Sequence, residues 1–287
     1  MGFENDVIQS IDHGDVEKHP VIAQMYERAE QILQEEAVDP LHFVDLYGEE
    51  NVTRDLNHIK ELKEKFEHSS DKSAKIFEAI VYQHIELSEW LGPNAETIRA
   101  SEFDDLKNGT DVIVEFTTDD FKKHLALGID VTFGSQVLEK KFNRIKEEID
   151  SDMLTEVKYY ESHDFKGSLK NAPRVIVGVE KDTVVALAAL WMRSQNAELG
   201  KHFAREIIIK EITLQLQTFL AYANSIGAQK AVRSYTQALS IIKNSIGPVS
   251  PERREAYSKH SSDISNDKVL QSIQTQLEKF QTSSIDA

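Results

Sequence analysis

Two strand-like stretches each carry an aspartate where a buried strand ordinarily has an aliphatic residue. Residues 111–117 read DVIVEFT and open on Asp111, and residues 124–133 read HLALGIDVTF with Asp130 inside the run. The segment between them is short enough for an antiparallel hairpin, and a suitable register places the two aspartates side by side on one face. Two carboxylates at such a short distance repel each other unless a cation lies between them. Mg²⁺ prefers oxygen ligands of this kind. The pair therefore predicts a metal site.

The stretch around Asp130 has one large apolar face and one small, polar face. The second face consists of Ala126, Gly128, Asp130 and Thr132. Its small residues leave space for another molecule to approach the carboxylate. A simpler interpretation is open for each acid. Asp111 follows the turn sequence Asn108-Gly109, and Asp130 can be an exposed residue at the end of a strand.

A third acid, Glu78, lies on or beside an apolar stripe of the preceding helix. Its neighbours at i−4, i+3, i+4 and i+7 are Ala74, Val81, Tyr82 and Ile85. A glutamate in such surroundings needs a partner, because burying an unpaired charge is costly. A metal ion is one such partner, and a buried arginine or lysine would serve equally well.

The helix after the second of these strands supplies basic side chains. Lys140 or Lys141, or Lys146 further along, could reach back toward the carboxylates. A lysine beside a bound metal ion orients the attacking water or stabilises the developing charge on a phosphate. Basic helix faces are also common on ordinary solvated surfaces.

A helical glutamate, a hairpin with an aspartate in each strand and a basic helix together resemble the PD-(D/E)xK nuclease superfamily. The order helix, three strands, helix, strand over residues 73–161 is that of its core. The resemblance implies Asp111 as the first metal-binding acid and Asp130 as the acid of the (D/E)xK element. It also implies Glu78 as the accessory acid and Mg²⁺, or Mn²⁺, as the cofactor.

The sequence departs from the superfamily pattern at one position. Thr132 stands where the (D/E)xK element has its lysine. Superfamily members are known in which this lysine lies on the neighbouring helix, and Lys140 or Lys141 would take that part here. Without such a lysine, the fold would be kept and the chemistry lost. A further acidic pair, Asp104–Asp105, precedes the hairpin, and Asp105 is the substitute candidate for the first ligand.

The elements that position these residues follow from the spacing of apolar side chains. Helices are predicted at 20–38, 53–67, from about 73 to 91, at 135–149 and throughout the chain after 181, and strands at 96–101, 111–117, 124–133, 156–162 and 174–180. The expected fold class is α/β, with a small mixed central sheet of about five strands flanked by helices. This is a restriction-endonuclease-like core with helical N- and C-terminal extensions.

The expected organisation has three regions, which can also form a single domain. They are an acidic helical region at 1–70, a nuclease-like core at 71–200 and a C-terminal helical region at 201–287. Residues 1–70 contain 17 acidic and 6 basic residues, a net charge of −11. Residues 201–260 contain 4 acidic and 9 basic residues, a net charge of +5. Solvated helix faces explain this asymmetry most simply, and a cover over a restrained nuclease is the alternative.

Composition excludes several classes of function. The 287 residues include no cysteine, which excludes disulfides, thiolate catalysis and Cys-based zinc sites. No apolar run approaches membrane-spanning length and the start has no signal-peptide pattern, so a cytoplasmic protein without membrane contact is expected. The net charge of −16 argues against a passive nucleic-acid coat protein.

Two functions are predicted on these grounds. The first is divalent-metal-dependent phosphodiester hydrolysis, with DNA or RNA as the substrate. The alternative is a catalytically inactive protein with a nuclease fold, which acts as a protein–protein or nucleic-acid interaction module. A protein partner or a homodimer is compatible with either function.

Overall fold

Helices account for most of the chain in the computed structural model, which describes residues 20–66, 71–117, 126–131, 135–247 and 251–283. Before the first strand they are α1 (Pro20–Glu35), a 3-10 helix (Pro40–Phe43), α2 (Val44–Tyr47), α3 (Glu49–Phe66) and α4 (Lys72–Leu87). After the third strand they are α5 (Ser135–Asp150), α6 (Lys181–Met192), α7 (Asn196–Lys201), α8 (Ala204–Ile226), α9 (Gln229–Ile246), α10 (Pro251–Lys259), α11 (Ser261–Asn266) and α12 (Lys268–Ser283). The predicted helices at 20–38, 53–67 and 135–149 correspond to α1, α3 and α5.

The strands divide between two separate sheets. Their bounds are β1 (Ala95–Arg99), β2 (Val112–Phe116), β3 (Ala126–Val131), β4 (Thr155–Glu161), β5 (Lys166–Ala172) and β6 (Arg174–Val177). One sheet has the order β1-β2-β3-β6, in which the first two pairings are antiparallel and β3–β6 is parallel. The other is the antiparallel pair β4–β5.

The expected α/β class with a five-stranded central sheet is wrong. Of the residues that the structure describes, 70% are helical, and the predicted strand at 156–162 lies outside the four-stranded sheet. It pairs instead with β5, a polar stretch that gives no strand signal in the sequence. The physical reason is that β4 is buried by other elements. Val157 and Tyr160 pack against Ile113 of β2, and Tyr159 packs among Phe43 and other residues of the N-terminal helices.

The main hydrophobic core joins helices from both ends of the chain to the four-stranded sheet. It includes Ile22 of α1, Ile80 of α4, Val175 of β6, Leu216 of α8 and Ile273 of α12, all of them buried. These residues come from all three regions predicted from the sequence, 1–70, 71–200 and 201–287. The division of the chain into these regions stays a prediction. Among the described helices, none is both long and apolar enough to cross a membrane.

A buried glutamate lies where α8 packs on β6. Glu211 is fully buried, and its Oε2 accepts a hydrogen bond from the amide of Gly178, 3.0 Å away. Its Oε1 has no hydrogen-bond partner among the described residues. Burial raises the pKa of Glu211 well above its ordinary value, against the opposing effect of the Gly178 hydrogen bond. The carboxyl group therefore favours its neutral form in the folded protein.

Replacing Glu211 with glutamine is expected to raise the free energy of unfolding by about 1 kcal/mol or more at pH 8. The folded wild type binds this proton more tightly than the unfolded chain, whose pKa is near 4.5. Its stability therefore falls as pH rises from about 4.5 toward the folded pKa, and glutamine removes this dependence. Urea unfolding from pH 4.5 to 8 measures both effects, with Glu27→Gln at an exposed position as the control. Parallel pH profiles for Glu211→Gln and wild type would contradict the expectation.

Candidate metal centre

Three elements around one edge of the four-stranded sheet position the centre. The side chain of Asp71 accepts a hydrogen bond from the Ala74 amide and begins α4. Lys75 and Glu78 follow at a spacing of three residues, so they lie on the same side of this helix. Arg99 ends β1, and α4 packs on that strand. Local helix and strand geometry thus brings a lysine, a glutamate and an arginine to one place.

The chain reaches β2 through a π-helix, Asp104–Asn108, and its first residue is a structural anchor. The buried carboxylate of Asp104 accepts hydrogen bonds from Ser101 Oγ at 2.7 Å and Asn108 Nδ2 at 2.7 Å. It also accepts from the amides of Lys158 at 2.7 Å and Tyr159 at 3.0 Å. Burial raises the pKa of Asp104, and these hydrogen bonds oppose the rise. Both carboxylate oxygens of Asp104 are therefore occupied by hydrogen bonds within the protein.

Asp105, the next residue, joins Glu78 and Asp111 in a cluster of three carboxylates. Each residue contributes one carboxylate oxygen, and these three oxygen atoms all lie within 4.8 Å of one another. Glu78 is 4% exposed and Asp111 8% exposed, so the cluster is largely withdrawn from water. Oxygen atoms alone at this spacing are the donor set that a hard divalent cation such as Mg²⁺ prefers.

Two cationic side chains already contact this cluster. Arg99 Nη2 lies 2.7 Å from Glu78 Oε1 and 3.0 Å from Asp105 Oδ2, and Arg99 Nη1 donates to the Asp111 carbonyl oxygen. Lys75 Nζ lies 2.9 Å from Glu78 Oε2. The arginine and lysine partners that the sequence left open for Glu78 are therefore both present. Three acidic side chains thus face two cationic ones, and Asp105 also shares a side-chain hydrogen bond with Asp111.

The pKa of Asp105 shows how these opposite influences balance. Burial acts to raise it, but the nearby charges of Arg99 and Lys75 outweigh burial, and the pKa lies below its ordinary value. Asp105 is therefore ionised at neutral pH. An ionised carboxylate is the form that a metal ion needs.

The cluster retains unused hydrogen-bonding capacity that fits a metal ion. Glu78 Oε1 is buried without a hydrogen-bond partner among the described residues, because its 2.7 Å contact with Arg99 lacks hydrogen-bond geometry. An oxygen with a free lone pair beside two further carboxylates can coordinate a hard cation. The residues present therefore fit Mg²⁺ or Mn²⁺, with Arg99 as a neighbour that such an ion would have to accommodate.

The structure brings together two of the acids predicted from the sequence, Glu78 and Asp111, together with the substitute candidate Asp105. The β2–β3 register pairs Val112 with Ile129. If this antiparallel register is extended by one residue, Asp111 lies opposite Asp130. The backbone of Asp130 lies in β3, and its side chain is outside the described part of the structure, as is Thr132.

The predicted lysines lie on α5. Lys140 is exposed and Lys141 is partly buried, and their catalytic role stays a prediction. Lys146 is committed to a different place, where it contacts Asp150 at 2.8 Å and Tyr222 at 2.5 Å. The lysine seen against the carboxylates is Lys75 of α4.

Sequence reasoning missed Lys75 and Arg99. A signal for Lys75 exists, because it lies three residues before Glu78 on the same helix. Strand alternation places Arg99 on the same face of β1 as Thr97. In the structure that face meets α4, where Thr97 Oγ1 donates a hydrogen bond to the carbonyl oxygen of Tyr82. Which helix covers that side cannot be read from the strand itself.

A cavity of about 580 Å³ adjoins the carboxylates. Lys75, Arg99 and Asp105 form part of its wall, and α1, the end of α3 and the π-helix form the rest. The segment after α1 is held beside the strand by a bridge between Ala37 and Arg99. The cavity therefore gives a ligand access to the Asp105 side of the centre.

Comparison with known proteins adds no relative to this description. A scan against family models and searches of curated proteins and of solved structures found no significant match. The geometry and chemistry of the centre are therefore the basis for assigning a function.

Proposed function

We propose that this protein hydrolyses phosphodiester bonds of nucleic acid with the aid of a divalent metal ion held by Glu78, Asp105 and Asp111. The observation that carries the proposal is the convergence of these three carboxylates within 4.8 Å. Two of them were predicted as ligands from the sequence, on the resemblance to the PD-(D/E)xK superfamily. Asp130, whose register position is opposite Asp111, is proposed as a further ligand. The proposal rests on these side chains and does not require a five-stranded sheet.

Each residue has a defined part in this proposal. A bound Mg²⁺ or Mn²⁺ would polarise the phosphodiester and lower the pKa of a bound water molecule. Glu78, Asp105 and Asp111 bind the ion. Lys75, a donor beside Glu78, orients the water or the phosphate, and Lys140 or Lys141 remains the alternative lysine. Arg99 holds the acids in place and keeps Asp105 ionised.

The ion pairs of Arg99 favour a second candidate function. A guanidinium that already contacts Glu78 and Asp105 neutralises much of the charge that a metal ion would otherwise balance. In that case the protein is a binding module for a protein partner or a nucleic acid, and the cluster is structural. A cytoplasmic location is proposed for either function.

The deciding experiment combines cleavage with metal binding. Wild-type protein is expected to cut labelled DNA or RNA only with Mg²⁺ or Mn²⁺, and Asp111→Asn to lower the rate by about 100-fold or more. Mn²⁺ is expected to raise the melting temperature of wild type and not of Asp111→Asn, since ligand binding stabilises the folded state. Asp45→Asn, at an exposed acid of α2, is the matched control.

Two results would contradict the proposed hydrolysis. One is cleavage that persists at the wild-type rate in Asp111→Asn. The other is a folded wild-type protein that neither cuts nucleic acid nor gains stability from Mn²⁺, which would favour the binding module.

A further inference from the structure

Two of the three acids of the centre, Glu78 and Asp111, lie too deep to meet the backbone of a duplex. Glu78 and Arg99 are each 4% exposed, and Asp111 is 8% exposed. A duplex carries its phosphates on a regular helix whose bases are stacked and paired, and an enzyme brings a paired nucleotide into a buried pocket only by extruding it from the stack. An unpaired nucleotide has no such restraint. A phosphodiester that enters the cavity is therefore expected to belong to an unpaired part of the chain.

The cavity has a size and a wall that suit one nucleotide. Its volume of about 580 Å³ lies within the roughly 300–1,000 Å³ of pockets that enclose small molecules. Leu33, Ala37 and Leu106 give it an apolar side, against which the face of a base can pack. The other side carries Lys75 and Arg99 next to the carboxylates.

The charges of the wall couple phosphate binding to metal binding. Three cations line the cavity, and three acids line it as well: Lys63, Lys75 and Arg99, with Glu30, Glu102 and Asp105. The wall is therefore neutral in total, and a divalent cation at the centre would offset the charges of Glu78 and Asp111, the two acids of the cluster that do not line the cavity. An anionic phosphate would then be attracted most strongly when the metal ion is bound.

One donor in this wall has no acceptor. Arg99 Nε is buried and has no hydrogen-bond partner among the described residues. A buried N–H group without an acceptor is unfavourable, and a phosphate oxygen is a strong acceptor for a guanidinium group. Because Arg99 both lines the cavity and contacts Glu78, a phosphate bound to it would lie next to the carboxylates.

We propose that this cavity binds one unpaired nucleotide, so that the substrate is single-stranded nucleic acid or the frayed end of a duplex. The proposal rests on the proposed hydrolysis and names its substrate class. The base lies against Leu33, Ala37 and Leu106, and the phosphate lies against Lys75 and Arg99. A continuous duplex is excluded from the centre.

Binding of fluorescein-labelled oligothymidylate tests this proposal. Fluorescence anisotropy is measured in Ca²⁺ for the single strand and for its duplex with oligoadenylate, and the single strand is expected to bind at least tenfold more tightly. Leu106→Trp, which fills the cavity, is expected to weaken single-strand binding at least tenfold and to retain the rise in melting temperature with Mn²⁺. Ala37→Phe is a second filling variant, and Leu46→Trp at an exposed site is the control.

The outcomes separate this proposal from the proposed hydrolysis. Duplex that binds and is cut as well as the single strand, with no effect of either filling variant, would overturn the substrate class while hydrolysis stands. Absence of both cleavage and Mn²⁺ stabilisation in wild type, with single-strand binding that the filling variants weaken, would overturn the hydrolysis and leave a nucleotide-binding cavity.

Discussion

Replacing Arg99 with alanine is expected to lower the free energy of unfolding by about 3–5 kcal/mol. The guanidinium group contacts Glu78 at 2.7 Å, Asp105 at 3.0 Å and the carbonyl oxygen of Asp111. Its removal leaves the three carboxylates close together, with Lys75 still in contact with Glu78. Breaking a buried ion pair by removing one partner leaves uncompensated charge in a medium of low polarity, which is why the expected loss is large.

Urea unfolding at neutral pH measures the effect, with Arg54→Ala on the exposed side of α3 as the control. A second change, Glu78→Gln in the same chain, is expected to recover part of the stability, because it reduces the number of acidic side chains crowded around Lys75. A loss below about 1 kcal/mol for Arg99→Ala would show that the acids do not depend on the arginine.

The loss of stability in Arg99→Ala is expected to depend on pH in a defined direction. In wild type the pKa of Asp105 lies below its ordinary value, since Arg99 and Lys75 outweigh the effect of burial. Asp105 therefore contributes stability above the unfolded pKa of about 3.8, and the contribution is lost as pH falls through the folded pKa. Most of this contribution is absent without Arg99. The difference in stability between wild type and Arg99→Ala is accordingly expected to narrow below about pH 4.

The same variant distinguishes the two candidate functions. If the cluster can bind a divalent ion, Mn²⁺ should restore more stability to Arg99→Ala than it adds to wild type, because the ion replaces the missing cation. If the cluster is purely structural, Mn²⁺ should leave the variant as unstable as before. Melting temperatures at increasing Mn²⁺ concentration decide between these results.

Replacing Asp104 with alanine is expected to cost about 4 kcal/mol of unfolding free energy. The carboxylate accepts four hydrogen bonds, two of them from the backbone amides of Lys158 and Tyr159 in β4. Alanine leaves these amide groups without an acceptor at a position where Tyr159 is fully buried. The π-helix would also lose the contact that fixes it to the β4–β5 hairpin.

Asp152→Ala is the matched control for this prediction. Asp152 also accepts two backbone hydrogen bonds, from Lys230 at 2.8 Å and Ala231 at 3.0 Å at the beginning of α9. Because it caps a helix in a more exposed place, its loss is expected to cost only about 1 kcal/mol. Urea unfolding compares the two variants. Equal losses would show that the buried anchor is no stronger than an ordinary cap.

The neighbours Asp104 and Asp105 show what the sequence leaves undetermined. Both are acidic and lie ahead of β2, and the sequence gives no reason to separate them. In the structure the first holds the hairpin and the second joins the carboxylate cluster. The difference arises because the π-helix directs successive side chains to different surroundings, and those surroundings come from segments distant in the chain.

The sequence by itself determined the helices α1, α3 and α5 and two acids of the centre. Helices follow from a local period of apolar residues, and Glu78 and Asp111 are conspicuous as acids in apolar surroundings. The side chain of Asp130 lies outside the described structure, and its role as a metal ligand stays a prediction.

Only the tertiary structure decided which strands share a sheet and what neutralises the acids. β4 has the pattern of a core strand, yet contacts with Ile113 and with the N-terminal helices bury it in a separate pair with β5. Arg99 reaches Glu78 across 21 positions of the sequence. Strand pairing and buried ion pairs depend on which distant surfaces meet, and the period of a single segment does not contain that information.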